Sequence, residues 1–373
     1  MRFSEQQERA LAAVMKWHLQ NKKQIFRLFG YAGTGKTTLA KYFAEELGEA
    51  VQFAAFTGKA AHVLRSKGAE NAKTIHSLIY RQYGEEEIED KKTGKSLVAP
   101  KFVLNHESPI LKASLVIVDE CSMVDEKLGQ DLLSFDRPIL VLGDPGQLPP
   151  ISGGGFFTNH EPDFQLEEIF RQAKDNMILK ISAEVREGKP LSYGDYGQVR
   201  IISKKDVTPE LVLNADQVLV GKNRTRQLYN ERLRVLKGFS GSLPQAGDKL
   251  VCLRNDAQKG LMNGSLWKVT SSALGSTKKS LRASIVSEDD NRGTVRVRFL
   301  KDAFERPDIE IPWQTKRMYD EFDYGYALTV HKAQGSQWDN VVLFDESVAF
   351  PENRIRWLYT GITRAVKSLV IVR

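Results

Sequence analysis

The run Gly30–Thr38, GYAGTGKTT, fits the pattern G-x-x-x-x-G-K-[ST]. The chemistry such a run can do is phosphate binding. Gly33 and Gly35 let backbone N–H groups turn inward around phosphate oxygens, and a following helix N-terminus adds its own amides. Thr34 and Thr38 complete the loop, Lys36 would reach the β and γ phosphates of a nucleotide, and the Thr37 hydroxyl would sit on Mg²⁺. Asp119 and Glu120 close the apolar run Leu115–Val118. A carboxylate there can hold Mg²⁺ through water, and its neighbour can orient or deprotonate an attacking water. An acidic pair after a strand also reads as a helix cap; a phosphate loop upstream favours the first reading. Gln147, in the run Leu142–Pro150 (LGDPGQLPP), has the chemistry to sense a γ phosphate or the attacking water. A turn accounts for the Gly and Pro residues of that run but not for Gln147. Charge developing on a transferring phosphoryl group needs cations. Arg171 and Arg364 are candidates, although in a chain with 54 basic residues either one alone reads equally as surface charge.

These residues lie far apart, so the elements between them must fold them together. Ser4 followed by Gln6, Gln7 and the apolar Leu11, Val14 and Met15 predicts a capped helix. Gln24–Phe29 predicts a buried strand running straight into the glycine loop, with a helix beyond it through Leu39, Tyr42, Phe43 and Leu47. Val51–Phe56 predicts a second strand and Gly58–Lys67 a second helix. Leu115–Val118 and Ile139–Leu142 predict two more strands, ending in Asp119-Glu120 and Gly143-Asp144. Strands alternating with helices imply a parallel sheet covered on both faces, with ligands at the carboxyl ends of the strands. Residues 80–112 interrupt the rhythm with Glu85, Glu86, Glu87, Glu89 and Asp90, then Lys91, Lys92 and Lys95. Either a solvated loop or a projecting β-hairpin returning through Leu97–Leu104 fits them.

Ile151–Phe157, with three consecutive glycines from Gly153, reads as a connector. Beyond it Met177–Val185 predicts a helix, Val218–Val220 a strand and Asn223–Leu236 a basic helix. From Gly247 to about residue 312 the texture becomes short β-like runs: Lys249–Leu253, Leu266–Val269, Ser284–Val286 and Thr294–Phe299. That spacing predicts a small antiparallel barrel. From Tyr324 the strand and helix texture returns, with Val341–Phe344 and Leu369–Val372 as buried strands.

The chain has 373 residues, 41% of them hydrophobic, which suits two or three domains better than one core. Lys and Arg total 54 against 47 Asp and Glu, a net charge of +7 that suits a polyanionic partner without proving one. Two cysteines, Cys121 and Cys252, cannot build a disulfide framework or a zinc cluster. The six histidines show no ligand spacing, and no apolar run approaches the roughly 20 residues of a membrane helix. The composition therefore points to a soluble protein of a reducing compartment. Lys222, Arg224, Arg226, Arg232, Arg234 and Lys237, against the single Glu231, form either a phosphate-tracking face or a solvated helix face. Thr57 with Lys59, and Thr74 with His76, put hydroxyls and a cation at element ends, where phosphate and sugar contacts are made. His76 and His331 taken singly read as packed polar residues.

Taken together and in order, these segments resemble the superfamily 1 helicases, and more closely the RecD/Dda-like branch that moves 5′ to 3′ on single-stranded DNA. Gln7 matches the adenine-reading glutamine, Gly30–Thr38 motif I, Ala55–Ala61 motif Ia, and Lys73–His76 the next DNA-contacting motif. Val118–Glu120 matches motif II, Gly143–Pro150 motif III, Phe170–Gln172 motif IV, Ala327–Gly335 motif V and Leu358–Ala365 motif VI. Motif V of the family continues with Gly-Ser-Glu, whose Glu holds the ribose hydroxyls. Here it reads Gly335, Ser336, Gln337, so the ribose contact would be an uncharged hydrogen bond. The long N-terminal domain of the RecD members is missing, so the chain looks like a free-standing, Dda-sized motor.

The resemblance implies an α/β protein with two RecA-like domains and ATP between them. Domain 1A would take residues 1–165 with a pin insert, 1B, at about 80–112. Domain 2A would take 166–243 and 319–373, and an SH3-like β-barrel, 2B, would take 244–318. Lys36, Thr37, Asp119 and Glu120 would come from the first domain, and Arg171 and Arg364 from the second. Thr57, Lys59, Thr74, His76, Thr329 and His331 would line the DNA track, and Phe102 would stack on the junction base pair. The function expected is an ATP- and Mg²⁺-dependent DNA helicase, a monomer acting on single-stranded DNA and single-strand/duplex junctions. It would work in a bacterial cytoplasm (the nucleoid, or a phage-infected cell), with replication or recombination proteins as possible partners. A translocase that unwinds little, a DNA-independent P-loop NTPase or kinase, and a motor on RNA remain rival readings.

Overall fold

A computed structural model describes residues 3–48, 50–89, 96–150, 155–168, 176–274, 279–307 and 309–373. The described chain forms two compact units. The first comprises Met1–Tyr80, Leu104–Val207 and Ala333–Arg373, and the second Arg81–Val103 and Thr208–Lys332.

The first unit opens with the helix Glu5–Gln20. Ser4 caps it in a capping box with Gln7, and Asn21 in the left-handed region ends it. Ala10, Val14 and Trp17, spaced one helical turn apart, are its buried face. Six strands then form a wholly parallel sheet. Its order is Lys73–Thr74, Val51–Ala55, Leu115–Asp119, Ile139–Gly143, Ile25–Gly30 and Phe164–Leu166. Val51–Ala55 and Ile139–Gly143 are buried at every position, as a parallel strand covered on both faces must be. The chain leaves Gly30 and crosses two strand positions before it re-enters the sheet at Val51. Register aligns Phe29 with Gly143 and Val118 with Val141. The glycine loop, Asp119 and the Gly143–Pro150 loop therefore leave the sheet at nearly the same level. One core cluster centres on Leu28, Leu39, Phe43, Ile117 and Leu142. A second, on the other face, centres on Phe29, Ile75, Val118, Leu132 and Phe157.

The same unit contains a further parallel group. Ala365–Val372 pairs with both Val199–Ile202 and Trp338–Phe344, and Gly194–Asp195 runs antiparallel beside Val199–Ile202. The helices Met177–Arg186 and Arg354–Ile362 pack on each other. The strands Phe164–Leu166 and Val199–Ile202 and the helix Glu126–Leu133 are absent from the expectations above. The two strands are short and mix polar with apolar residues, so pairing with neighbours, not local pattern, makes them strands.

Tyr80–Glu89 and Ser96–Leu104, which but for Tyr80 and Leu104 belong to the second unit, form a two-stranded hairpin. Of the two readings left open for residues 80–112, the described part is the hairpin. Glu85 on its first strand forms an ion pair with Arg317. Gln217–Val220 pairs in parallel with Ala327–Thr329. Five antiparallel strands follow in the order Val295–Leu300, Ser280–Ser287, Leu266–Leu274, Lys249–Cys252 and Phe322–Tyr324. Leu266–Leu274 runs five residues past the expected end at Val269. Its polar Ser271 and Ser272 continue the ladder to Ser280–Ser287 across a bulge. Val297 and Phe299 point inward while Arg296 and Arg298 are exposed, the period-two pattern of a half-buried strand. Phe299 packs edge-on against Phe304 and Phe322 at 5.5 and 5.3 Å.

Candidate nucleotide site and nucleic-acid contacts

The phosphate loop is shaped by backbone before side chains enter. Gly33 and Gly35 have φ of 81° and 80°, which a residue with a Cβ adopts only at a cost. Gly35 is also the N-cap of the helix Lys36–Leu47, and no side chain caps that end. The first-turn amides, those of Thr37 and Thr38 among them, are left for a ligand, and both they and the helix dipole favour an anion. Thr34 is buried, its hydroxyl donating to the Tyr31 carbonyl at 2.8 Å. Lys36 Nζ donates to the carbonyl oxygens of Gly30 and Tyr31 at 2.6 and 3.0 Å, so the ammonium lies against the loop.

Thr37 Oγ1 donates to Asp119 Oδ2 at 2.8 Å, while Asp119 Oδ1 accepts the Glu120 N–H at 2.8 Å. A hydroxyl and a carboxylate side by side are the hard oxygen donors that Mg²⁺ takes, and the residues fit that ion. Among the described residues no cluster of three or more His, Cys, Asp or Glu side chains is assembled for a metal. A metal here would therefore keep water and phosphate ligands, as Mg²⁺ does.

Glu120 sits at φ 53°, ψ 44°, a left-handed conformation that costs a non-glycine residue roughly 1–2 kcal/mol. Burial pushes its carboxyl above the ordinary glutamate range. Arg364 and Lys36 pull it down, while Asp119 and Asp144 add to the push. Arg364 is 3% exposed. Its Nε donates to the Thr360 carbonyl at 3.0 Å, Nη1 to the Ser336 carbonyl at 3.2 Å and Nη2 to Thr363 Oγ1 at 3.2 Å. All three partners are neutral, so a full positive charge is held in place without a salt bridge among the described residues. Gln147 is buried, and its Oε1 has no hydrogen-bond partner among them. A buried acceptor of this kind is matched by a donor such as water.

Gln7 is buried against the loop. Its Nε2 donates to the Thr34 carbonyl at 3.0 Å and its Oε1 accepts the Ser4 N–H at 3.0 Å. A Cβ on Gly35 would lie 2.8 Å from that Nε2, so the loop glycine also makes room for Gln7. Gln337 Nε2 makes a long contact, 3.4 Å, to the Thr363 carbonyl. Arg171 and the rest of Phe170–Gln172 lie outside the described residues.

The residues expected on a nucleic-acid track fall in both units. In the first, Thr57 caps the helix Gly58–Ser66 by accepting the Ala60 N–H at 3.1 Å, and Lys59 is almost buried. Gly335 lies over that cap, where a Cβ would meet Thr57 Oγ1 at 3.1 Å and the Ala60 Cβ at 3.2 Å. Thr74 caps Ile75–Ile79, and the His76 ring lies 4.8 Å from that of Tyr80. In the second unit Thr329 ends the strand Ala327–Thr329 and accepts the Lys332 N–H at 3.2 Å. Phe102 is 44% exposed on the hairpin, as is Tyr83 at 66%. Burial lowers the pKa of both His76 and His331, which favours neutral rings.

The basic helix Asn223–Leu236 is less basic on its surface than its sequence. Arg226 pairs with Asp323 at 2.6 Å. Arg234 is buried against Asp248 in a bidentate pair at 2.9 Å. Sequence reasoning also passed over Tyr359, Thr360, Gln334 and Asp144. Tyr359 and Thr360 lie inside the run matched to motif VI and Gln334 inside motif V, but nothing in spacing says what they touch.

Two family models match the chain: an AAA domain over residues 2–204 and a UvrD-like helicase C-terminal domain over 324–372. The ATP-dependent RecD2 DNA helicase of Deinococcus radiodurans is 28% identical over 374 residues, covering 91% of this chain and 45% of that protein. The ATP-dependent DNA helicase dda of Enterobacteria phage T4 is 32% identical over 204 residues, covering 50% of this chain and 43% of that protein. The chain thus spans less than half the length of these curated relatives. Among solved structures, Bacteroides Pif1 bound to single-stranded DNA matches with a TM-score of 0.60 at 21% identity, over 100% of this chain and 92% of that one. A Pif1 structure on forked duplex DNA matches with a TM-score of 0.62 at 19% identity over the same shares. The α/β fold with its parallel sheet is shared with these structures.

Proposed function

We propose, for a chain that belongs to the AAA-domain family and is a superfamily 1 helicase chain of the RecD, Dda and Pif1 type, that it is an ATP-dependent DNA helicase. One observation carries the reading furthest. Lys36, Asp119 and Arg364, far apart in the chain, act electrostatically on Glu120, and Thr37 donates to Asp119, beside an uncapped helix N-terminus. Such a set fits in-line attack of water on a terminal phosphate. The loop amides and Lys36 would hold the phosphates. Thr37 and Asp119 would hold Mg²⁺, which supplies positive charge to the phosphate oxygens. Glu120, with its raised proton affinity, would take a proton from the attacking water, and the open Gln147 Oε1 would orient that water. Arg364, and Arg171 with it, would stabilise the charge of the transition state.

Two RecA-like domains would open and close around ATP and so step the protein along single-stranded DNA in the 5′ to 3′ direction. Domain 1A would be residues 1–165, domain 2A residues 166–243 and 319–373, and the antiparallel strands of 244–318 an SH3-like domain. Thr57, Lys59, Thr74, His76, Thr329 and His331 would contact the strand mainly through its backbone, and the hairpin would split the duplex with Phe102 at the junction. The likeness to RecD2 and Dda supports DNA over RNA as the track.

The test is Mg·ATP hydrolysis with and without a single-stranded oligonucleotide, at two salt concentrations, with Lys36→Ala as control. Stimulation that weakens with salt and disappears in Lys36→Ala is expected. Hydrolysis indifferent to DNA would sink the helicase reading and leave a P-loop enzyme with another acceptor.

A further inference from the structure

The geometry points to Tyr359 as a positioning residue whose hydroxyl ties the phosphate loop to the loop that carries Gln147. Tyr359 lies on the helix Arg354–Ile362 and is 1% exposed. Its hydroxyl accepts the N–H of Ala32, inside the phosphate loop, at 2.8 Å and donates to Asp144 Oδ2 at 2.7 Å. Asp144 Oδ1 in turn accepts the Gly146 N–H at 2.9 Å. One oxygen atom thus bridges a backbone amide of the nucleotide loop and the carboxylate that folds the turn before Gln147. Burial first, and the Asp144 carboxylate next, push the Tyr359 pKa up, so the proton stays on the hydroxyl and the donor direction is fixed.

The far side of Gln147 is held as firmly. The Leu148 N–H donates to Thr360 Oγ1 at 3.0 Å, and the Leu148 carbonyl accepts from Gln334 Nε2 at 3.0 Å. Gln147 is therefore bracketed by Asp144 and Leu148, and every one of these anchors comes from the C-terminal segment of the chain. The ring of Tyr359 is set with equal closeness. A Cβ on Gly146 would come within 3.0 Å of its Cε1. Tyr31 of the phosphate loop meets it edge-on at 6.5 Å, itself covered by the Arg186 guanidinium 3.4 Å from the ring centroid. A shift of the loop at Ala32 moves the Tyr359 hydroxyl, and with it Asp144 and the Gln147 backbone. Tyr359 would thereby make the water-orienting position of Gln147 depend on the state of the phosphate loop. This rests on the ATPase reading above.

Tyr359→Phe keeps the ring and removes the hydroxyl. Under saturating single-stranded DNA, kcat for ATP hydrolysis is expected to fall about 10- to 100-fold while KM stays within about two-fold, since a misplaced group costs turnover more than binding. Gln147→Ala added to Tyr359→Phe is expected to cost little more, because the two act as one unit. Gly146→Ala, which keeps the hydroxyl but pushes a methyl against the ring and so displaces it, should give the same kcat signature and serves if Tyr359→Phe does not fold. Independent, multiplying effects of Tyr359→Phe and Gln147→Ala, or a KM that rises as far as kcat falls, would overturn the positioning role and leave the ATPase reading standing. A wild-type chain that does not hydrolyse ATP would overturn both.

Discussion

Glu120 is the residue at which local strain, electrostatics and chemistry meet. Its backbone is left-handed just after the strand that ends at Asp119, and burial raises its affinity for protons. A base must be ionised to accept a proton, so a raised pKa moves the acid limb of the rate profile above the range of a free glutamate. Glu120→Gln should remove that limb from kcat/KM against pH and lower kcat by about 10²- to 10⁴-fold. The stability sign follows from the same shift. A carboxyl with a raised folded-state pKa binds more protons folded than unfolded, so stability falls as pH rises through that window. At neutral pH the Gln variant should therefore melt above the parent, and a lower melting point would contradict the assigned burial cost. His76 and His331 are depressed by burial, which suits them to stacking or hydrogen bonding rather than to charge pairing with phosphate.

Among the elements, the helix Asn223–Leu236 shows how a charged pattern can be read the wrong way. Arg234 donates from Nε and Nη2 to the two oxygens of Asp248 and from Nη1 to the Gly241 carbonyl at 2.6 Å. The Tyr326 hydroxyl donates to the same carboxylate at 2.9 Å. This network fastens the helix to the start of the antiparallel strands. Arg234→Met would strand a buried carboxylate, and a loss of about 3–5 kcal/mol is expected in urea unfolding. A loss under about 1 kcal/mol would mean that Asp248 finds water or another donor. The helix itself, and its bounds, were plain in the sequence, because helical periodicity is local. Which of its arginines face water was not, because that depends on where a carboxylate arrives from later in the chain.

At the level of the whole molecule, the hairpin is the part that, on the proposed reading, would separate a helicase from a translocase. It carries Tyr83 and Phe102 as exposed aromatic residues. Duplexes with a 5′ single-stranded tail should be unwound and those with a 3′ tail should not. Phe102→Ala should slow unwinding several-fold while single-stranded DNA still stimulates ATP hydrolysis. Unwinding unchanged by that substitution would move strand separation elsewhere, and unwinding of 3′-tailed duplexes alone would reverse the proposed direction. The net charge of +7 adds a non-specific attraction to any polyanion, so both assays belong at matched salt. No helix among the described residues is long and apolar enough to cross a membrane.

The sequence by itself determined what is local. The glycine loop, the helix it starts, the acidic pair at a strand end and the strand and helix order all follow from neighbouring residues, because φ preference, capping and hydrophobic period act over a few positions. It also marked Lys36, Thr37, Asp119 and Glu120 as candidates by type and spacing, and Arg364 only through the family resemblance of the run around it. Only the tertiary structure decided which distant groups meet. Tyr359 reaches Ala32 and Asp144, Gln334 reaches Leu148, and Arg364 is held among the described residues by neutral oxygens. Each of these contacts except those of Arg364 to Thr360 and Thr363 joins residues far apart in the chain. A hydrogen bond needs its partners within about 3 Å and aligned, which no spacing along a chain can specify before the sheet has brought its strand ends level.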